Sequence, residues 1–205
     1  MDENSLNDEL AKAFEAAHWF TFDLQHWAVI NLNISLNGID QEQKDFEANI
    51  RETETDEEAL RSIISSSGTF YDDLRLNAYR MAAVALVTRF QNRIGELMRI
   101  GRLVASKKRE NSSMLILQLK TLNKSLSDGP VPLNFFAELE EVRNSVVHGG
   151  SRAEWEFPQG KTRKVADAYR NPYGDVELSD DQLKDAMNKM IEQVKWYERR
   201  IAKQG

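Results

Sequence analysis

Six consecutive residues, Arg143-Asn144-Ser145-Val146-Val147-His148, run directly into Gly149-Gly150 and hold the chain's most distinctive combination of reactive groups. There are three histidines in all, so an imidazole closely following an arginine and an amide stands out. Histidine titrates near neutral pH and can give or take a proton. Arginine keeps its charge and offers a planar fork to phosphate oxygens. An amide such as Asn144 can orient the imidazole or bind the phosphate itself. Such a set suits metal-free cleavage of a ribose phosphodiester, which needs a base for the 2′-hydroxyl, an acid for the departing 5′-oxygen and positive charge on the phosphorane. One histidine cannot easily serve both faces of that in-line displacement, but two copies of His148 from a dimer could. The candidate catalytic residues are Arg143, Asn144 and His148, with no metal or other cofactor.

The element that positions them is legible from spacing. Between Pro132 and His148 the apolar residues are Leu133, Phe135, Phe136, Leu139, Val142, Val146 and Val147, the three- and four-residue rhythm of one buried helical stripe. At roughly 100° per residue, Asn144 and His148 share a face away from that stripe. Arg143 sits on the flank, where its stem can lie along apolar surface. Gly149 is expected as a left-handed cap that stops the helix, leaving His148 in the last turn beside the negative end of the macrodipole. The same residues also have a purely structural reading. Glu140, three residues before Arg143, can form a surface ion pair with it, and His148 can be a dipole partner and nothing more.

Arg143 and His148, with a polar residue directly after the arginine, resemble the R-x4-6-H signature of the HEPN superfamily, small α-helical domains many of which are metal-independent ribonucleases. The resemblance covers residues 70–203 in pattern and order, and only Arg143, Asn144 and His148 carry family roles. It implies an all-α, HEPN-like helical bundle with a small hairpin or ordered loop before the last helix. It also implies a homodimer with a composite site across a two-fold axis, RNA as substrate, and a toxin–antitoxin or antiviral (anti-phage) defence setting with a cognate inhibitor or sensor protein as a further partner. Some HEPN proteins have lost catalysis. A silent helical module that binds a partner protein or nucleotide, or only dimerises, is therefore the alternative.

Length and composition bound these expectations. The 205 residues suit a single domain, with residues 1–58 as an acidic N-terminal extension. The absence of cysteine excludes disulfides and thiolate metal sites. No apolar run approaches the roughly 18 residues of a membrane span, and the opening Met-Asp-Glu-Asn is the reverse of a basic signal-peptide start; a cytoplasmic location without membrane contact is expected. The net charge of −6 is uneven. Residues 1–58 hold 15 acids and 3 bases, the remainder 24 bases and 18 acids, a net of −12 followed by +6. One basic cluster, Arg99, Arg102, Lys107, Lys108 and Arg109, reads as solvated charge. A second follows the motif. Its Arg152, Lys161, Arg163 and Lys164 are the candidate substrate-binding residues, joined by Arg170, and either track a phosphate backbone or are solvated charge.

Elsewhere the pattern is helical. A long helix is expected from Ser5 to about Ser35, ended by Asn37-Gly38; along it His18, Phe22 and His26 recur as packing residues. Acid-rich residues 40–58 read as a solvated helix or mobile connection. A central helix spans Thr69 to about Lys107, with Leu74, Ala78, Met81, Ala85, Leu86, Phe90, Ile94, Leu97 and Ile100 at helical spacing and Gly95 as a weak point. The stretch from Met81 to Ile94 is expected to pack on the motif helix. Ser112–Leu126 is a shorter helix, Asp128-Gly129-Pro130 a turn, and Ser179-Asp180-Asp181-Gln182 a capping box opening the last helix.

Overall fold

Nothing between Glu57 and Ile100 breaks a helix outright, and the stretch forms one helix of 44 residues in the computed structural model, which describes residues 19–103, 114–156 and 162–203. Asp56 starts it: its carboxylate accepts from the Glu58 and Ala59 amides at 2.8 and 3.1 Å, and Glu57 and Glu58 place negative charge on the positive helix end. Gly68 and Gly95 stay inside the helix, each at a cost of about 1 kcal/mol relative to alanine. We label the helices α1 (Leu32–Thr53), α2 (Glu57–Ile100), α3 (Met114–Leu126), α4 (Leu133–His148) and α5 (Asp180–Ile201). The strands β1 (Glu154–Glu156) and β2 (Thr162–Lys164) form one antiparallel hairpin with Trp155 opposite Arg163. The fold is all-α, as the spacing predicts.

Helix α2 is the axis of the core. Its inner side buries Ala83, Leu86, Val87, Phe90, Ile94 and Leu97, and α1, α3, α4 and α5 all pack on it. From α4 come Phe136, Leu139 and Val142, all 2% exposed or less; the Phe90 and Phe136 rings stack with centroids 4.8 Å apart. From α5 come Leu183, Met187, Met190, Val194 and Tyr197, presented by the expected capping box of Ser179 and Gln182. The expected packing of motif helix on central helix therefore holds, with Phe90 and Phe136 at the contact. Met81 does not belong to it. It is 61% exposed because it lies on the opposite side of α2, about 100° from Ala82 and further from Ala83.

The N-terminal region departs most from expectation. The chain does not stop at Asn37-Gly38: α1 runs through both to Thr53. One glycine is outweighed by paired side chains along the helix, Gln41 to Asp45 and Gln43 to Glu47, each at 2.8 Å, and by anchors to α2. Arg75 donates to Asp40 and Gln43, and Phe46 meets Tyr71. The acidic stretch 40–58 is thus a helix end, a two-helix corner and a helix start. Upstream, helical residues 19–25 continue into a π-helical segment, His26–Asn31. Phe20, Leu24, Ala28 and Leu32 are all buried, and four-residue spacing drifts by about 40° per step on a 3.6-residue turn. The wider i→i+5 turn takes up that drift. Phe22 stacks on His26 but is 50% exposed rather than packed in the core, and His18 lies outside the described residues.

Polar residues are buried within this apolar frame as well, Arg93 and Gln193 among them. Arg93, 3% exposed, reaches Glu198 at 2.7 Å and Glu96 at 2.8 Å, and burial raises the Glu198 carboxyl even beside that guanidinium. Gln193, fully buried, accepts from the Val131 amide at 3.1 Å and lies so close to Gly129 that a Cβ there would stand 1.8 Å from its Nε2. Breaking a buried pair strands its partner, so Arg93→Ala should destabilise the fold by about 3–5 kcal/mol. Arg61→Ala, which breaks an exposed pair with Glu57, should leave the urea midpoint unchanged.

Candidate functional site

Pro132 has the extended backbone that a residue before a helix needs (φ −61°, ψ 142°) and releases α4 toward the core. The stripe behaves as expected at Phe136, Leu139 and Val142, with Leu133, Phe135 and Val146 partly buried against it. Val147 is the exception, 47% exposed in the last turn. Ser145 is fully buried. Its Oγ donates to the Arg152 carbonyl at 2.6 Å, and its own carbonyl accepts from the Gly149 and Ser151 amides at 2.7 and 3.2 Å. One small hydroxyl residue thereby ties the last helical turn to the chain that leaves it.

The cap itself differs from expectation. Gly149 is not left-handed (φ −101°); Gly150 (φ 60°) and Ser151 (φ 66°) take that conformation. Gly149 is required for another reason. A Cβ on it would lie 2.7 Å from Trp155 Cγ and 3.0 Å from the Ser145 carbonyl, so the indole of β1 packs where a side chain would be. The chain then continues through Ser151, whose carbonyl accepts from Val176. The Val176 carbonyl in turn accepts from buried Arg80 Nε of α2 at 2.8 Å. The motif end is clamped to α2 by backbone on one side and by Trp155 on the other.

On this platform Arg143 and Asn144 are joined, with the guanidinium donating to Asn144 Oδ1 at 2.9 Å. Both are half-buried, while His148 is exposed one turn further along the face of Asn144. Glu141, which spacing alone did not single out, also belongs here: it precedes Asn144 by three residues and His148 by seven. Burial raises its carboxyl, against the lowering effect of Arg163, which reaches it at 2.8 Å. A half-buried carboxyl titrating above its ordinary range on the face of a motif histidine fits an acid–base role. Its position at helical spacing before His148 was the available signal.

The candidate substrate-binding residues are placed as follows. Arg163 comes to the motif helix through Glu141. Arg152 stands beside the cap, 3.6 Å from Asp175. Lys164 faces Glu154 at 3.4 Å, and Arg170 faces Glu154 and Asp167. Lys161 lies outside the described residues, as do Lys107, Lys108 and Arg109 of the first cluster. Each described base of the second cluster therefore has an acidic neighbour. A cleft of about 410 Å³ between α4 and β2, bounded by Asn134, Glu138, Glu141, Lys164 and Asp167, adds further carboxylates. Exposed pairs of this kind are worth at most about 1 kcal/mol, so a phosphate could displace the acids around Arg152 and Lys164 at little cost. Among the described residues no group of three or more histidines and carboxylates could hold a metal ion.

No family model, curated protein or solved structure matches the chain.

The cap makes a prediction that needs no knowledge of function. Ser145→Ala removes the hydroxyl that ties the last turn to the Arg152 carbonyl and should cost about 1 kcal/mol. Gly149→Ala must push Trp155 aside. Both should lower the melting temperature, and Gly149→Ala should also shift the fluorescence of Trp155.

Proposed function

We propose that the protein is a metal-independent endoribonuclease of HEPN type, acting in a toxin or anti-phage defence setting, with a site completed by a second copy of the chain. The observation that carries this reading is the joined Arg143–Asn144 pair set one turn before an exposed His148 on a helix end locked by Ser145, Gly149 and Trp155. In this reading the 2′-hydroxyl oxygen attacks phosphorus and loses its proton to a basic group. The bond to the 5′-oxygen breaks as that oxygen gains a proton from an acidic group, and a 2′,3′-cyclic phosphate remains. His148 of each copy is available for one of the two transfers. Arg143 neutralises the phosphorane and Asn144 fixes the arginine, since their hydrogen bond sets the plane of the fork. Arg152 and Lys164 flank the path of the phosphate backbone.

A second reading, a silent helical module that binds a partner protein or nucleotide, is favoured by one observation: the described bases near the motif face carboxylates. The two are separated by chemistry. The ribonuclease should cleave single-stranded RNA in excess EDTA, spare the matching DNA, and leave 2′,3′-cyclic or 3′-phosphate ends. His148→Ala and Arg143→Ala should each lower the rate about a hundredfold or more with helical content unchanged; Asn144→Ala should cost less. Equal cleavage by wild type and His148→Ala would leave the module as the better reading.

A further inference from the structure

Turn chemistry accounts for every residue of Asn171-Pro172-Tyr173-Gly174 except the tyrosine. Asn171 Oδ1 accepts from the Tyr173 and Asp175 amides at 3.0 and 2.9 Å, the local bonding that suits asparagine to turns. Pro172 presets the backbone of the second position, and Gly174 supplies a left-handed one (φ 81°). The Gly174 amide donates to the Asn171 carbonyl at 3.1 Å, and the Asn171 amide to the Asp175 carbonyl at 3.0 Å, which closes the loop. Tyr173 lends only its backbone to this. Its side chain is 84% exposed, and among the described residues no hydrogen bond, ion pair or ring contact engages it. A large ring is held in water on a rigid loop, and the fold does not use it.

We propose that Tyr173 is a stacking platform for one unpaired base of a single-stranded RNA whose phosphates pass Arg152 and the motif end. The assignment rests on the ribonuclease reading and adds a substrate-positioning residue to it. The loop stands beside the motif end because the chain leaving His148 is bonded to it. Ala153 donates to the Gly174 carbonyl at 2.9 Å and Val176 to the Ser151 carbonyl at 2.8 Å, with Arg152 and Asp175 opposite each other between them. The Arg152 side chain is itself 68% exposed. An exposed cation and an exposed ring on one bonded platform are the two parts of a single-strand site: charge follows the backbone, and an aromatic face takes a base of any identity. The surroundings select that occupant over a protein. A stable protein interface covers about 800 Å² per partner around an apolar centre, whereas the residues flanking this ring include Arg170, Asn171 and Asp175. Tyr173 is an apolar island that one base would cover. A base within a duplex has both faces taken by its neighbours, so the platform favours single strands. With its backbone already fixed, tyrosine has only two side-chain angles to lose on binding.

The probe is a fluorescein-labelled 2′-O-methyl RNA of about ten nucleotides, within the span of such surfaces. It has no free 2′-hydroxyl and cannot be cleaved by the proposed route, so binding is read by anisotropy apart from chemistry. Tyr173→Ala should weaken binding about 5- to 150-fold, the usual worth of one base stacked on a ring. Tyr173→Phe should keep wild-type affinity, and Tyr173→Leu should not. Phe70→Ala, which removes another exposed ring from α2, should bind as wild type does. The matching duplex should bind wild type and Tyr173→Ala alike. Because the ring is exposed, all three Tyr173 variants should melt as wild type does. Equal binding of the single strand by wild type and Tyr173→Ala would overturn the proposal, as would a Tyr173→Phe as weak as Tyr173→Ala. So would a wild type that does not bind the strand, which would leave the ring to a protein partner. Binding through Tyr173 by a protein that cleaves no RNA would sink the ribonuclease reading alone. Cleavage by wild type, with the affinity of Tyr173→Ala unchanged, would sink this assignment alone.

Discussion

One long helix on which all the other described helices pack governs this molecule. The inner side of α2 gathers the other described helices, and the stacked rings of Phe90 and Phe136 fix where α4 crosses it. Once α4 is seated there, the direction of its last turn is set, and with it the positions of Arg143, Asn144 and His148. The buried Arg93–Glu198 pair and the Tyr197 hydroxyl, which donates to Asn123, hold α5 and α3 in register around the same axis. Reactive groups need no burial in such an arrangement; they need a rigid end to stand on. That end is made by a buried hydroxyl, a glycine pressed against an indole, and a buried arginine on a backbone carbonyl.

Much of this was legible in the amino-acid order, and the failures share a physical pattern. The stripe from Phe136 to Val142, the capping box at Ser179 and the apolar face of α5 are local signals, and each forms as the spacing requires. Asn37-Gly38 misled because a breaker dipeptide costs about 1 kcal/mol, less than the anchors Arg75 and Tyr71 supply from residues more than 30 positions away. Met81 misled because apolar residues lie on both the inner and the outer side of α2 around it, so that spacing alone does not choose between them. The spacing starts the central helix at Thr69, yet Asp56 caps it thirteen residues earlier, within a run whose acidity reads as a linker.

The placement of Arg143, Asn144 and His148 at one helix end was legible in the spacing, whereas the supports of that end were not. Ser145 sits within an apolar stripe, and its partner is a carbonyl seven residues on, beyond a turn whose left-handed residues are Gly150 and Ser151. Glycine at position 149 looked like a conformational requirement and is a packing one, which only the position of Trp155 reveals. Burial raises the Glu141 carboxyl and Arg163 on the hairpin opposes that shift, and neither is local to it in the chain. The basic cluster read as a phosphate track is, residue by residue, interleaved with acids that come from other parts of the chain.

The clamp from Arg80 to the Val176 carbonyl joins residues 96 positions apart, and it has a consequence for how the protein is born. Domains are made from the N-terminus onward, so α2 and its inner surface emerge long before the strand that completes the motif end. A nascent chain that has just released His148 from the ribosome holds all three reactive side chains but neither Trp155 nor Val176. It lacks the wedge and the tether that hold them in place. The geometry of the motif end is therefore withheld until the chain has been made through Val176, and chains cut just beyond His148 carry the motif's letters without its supports.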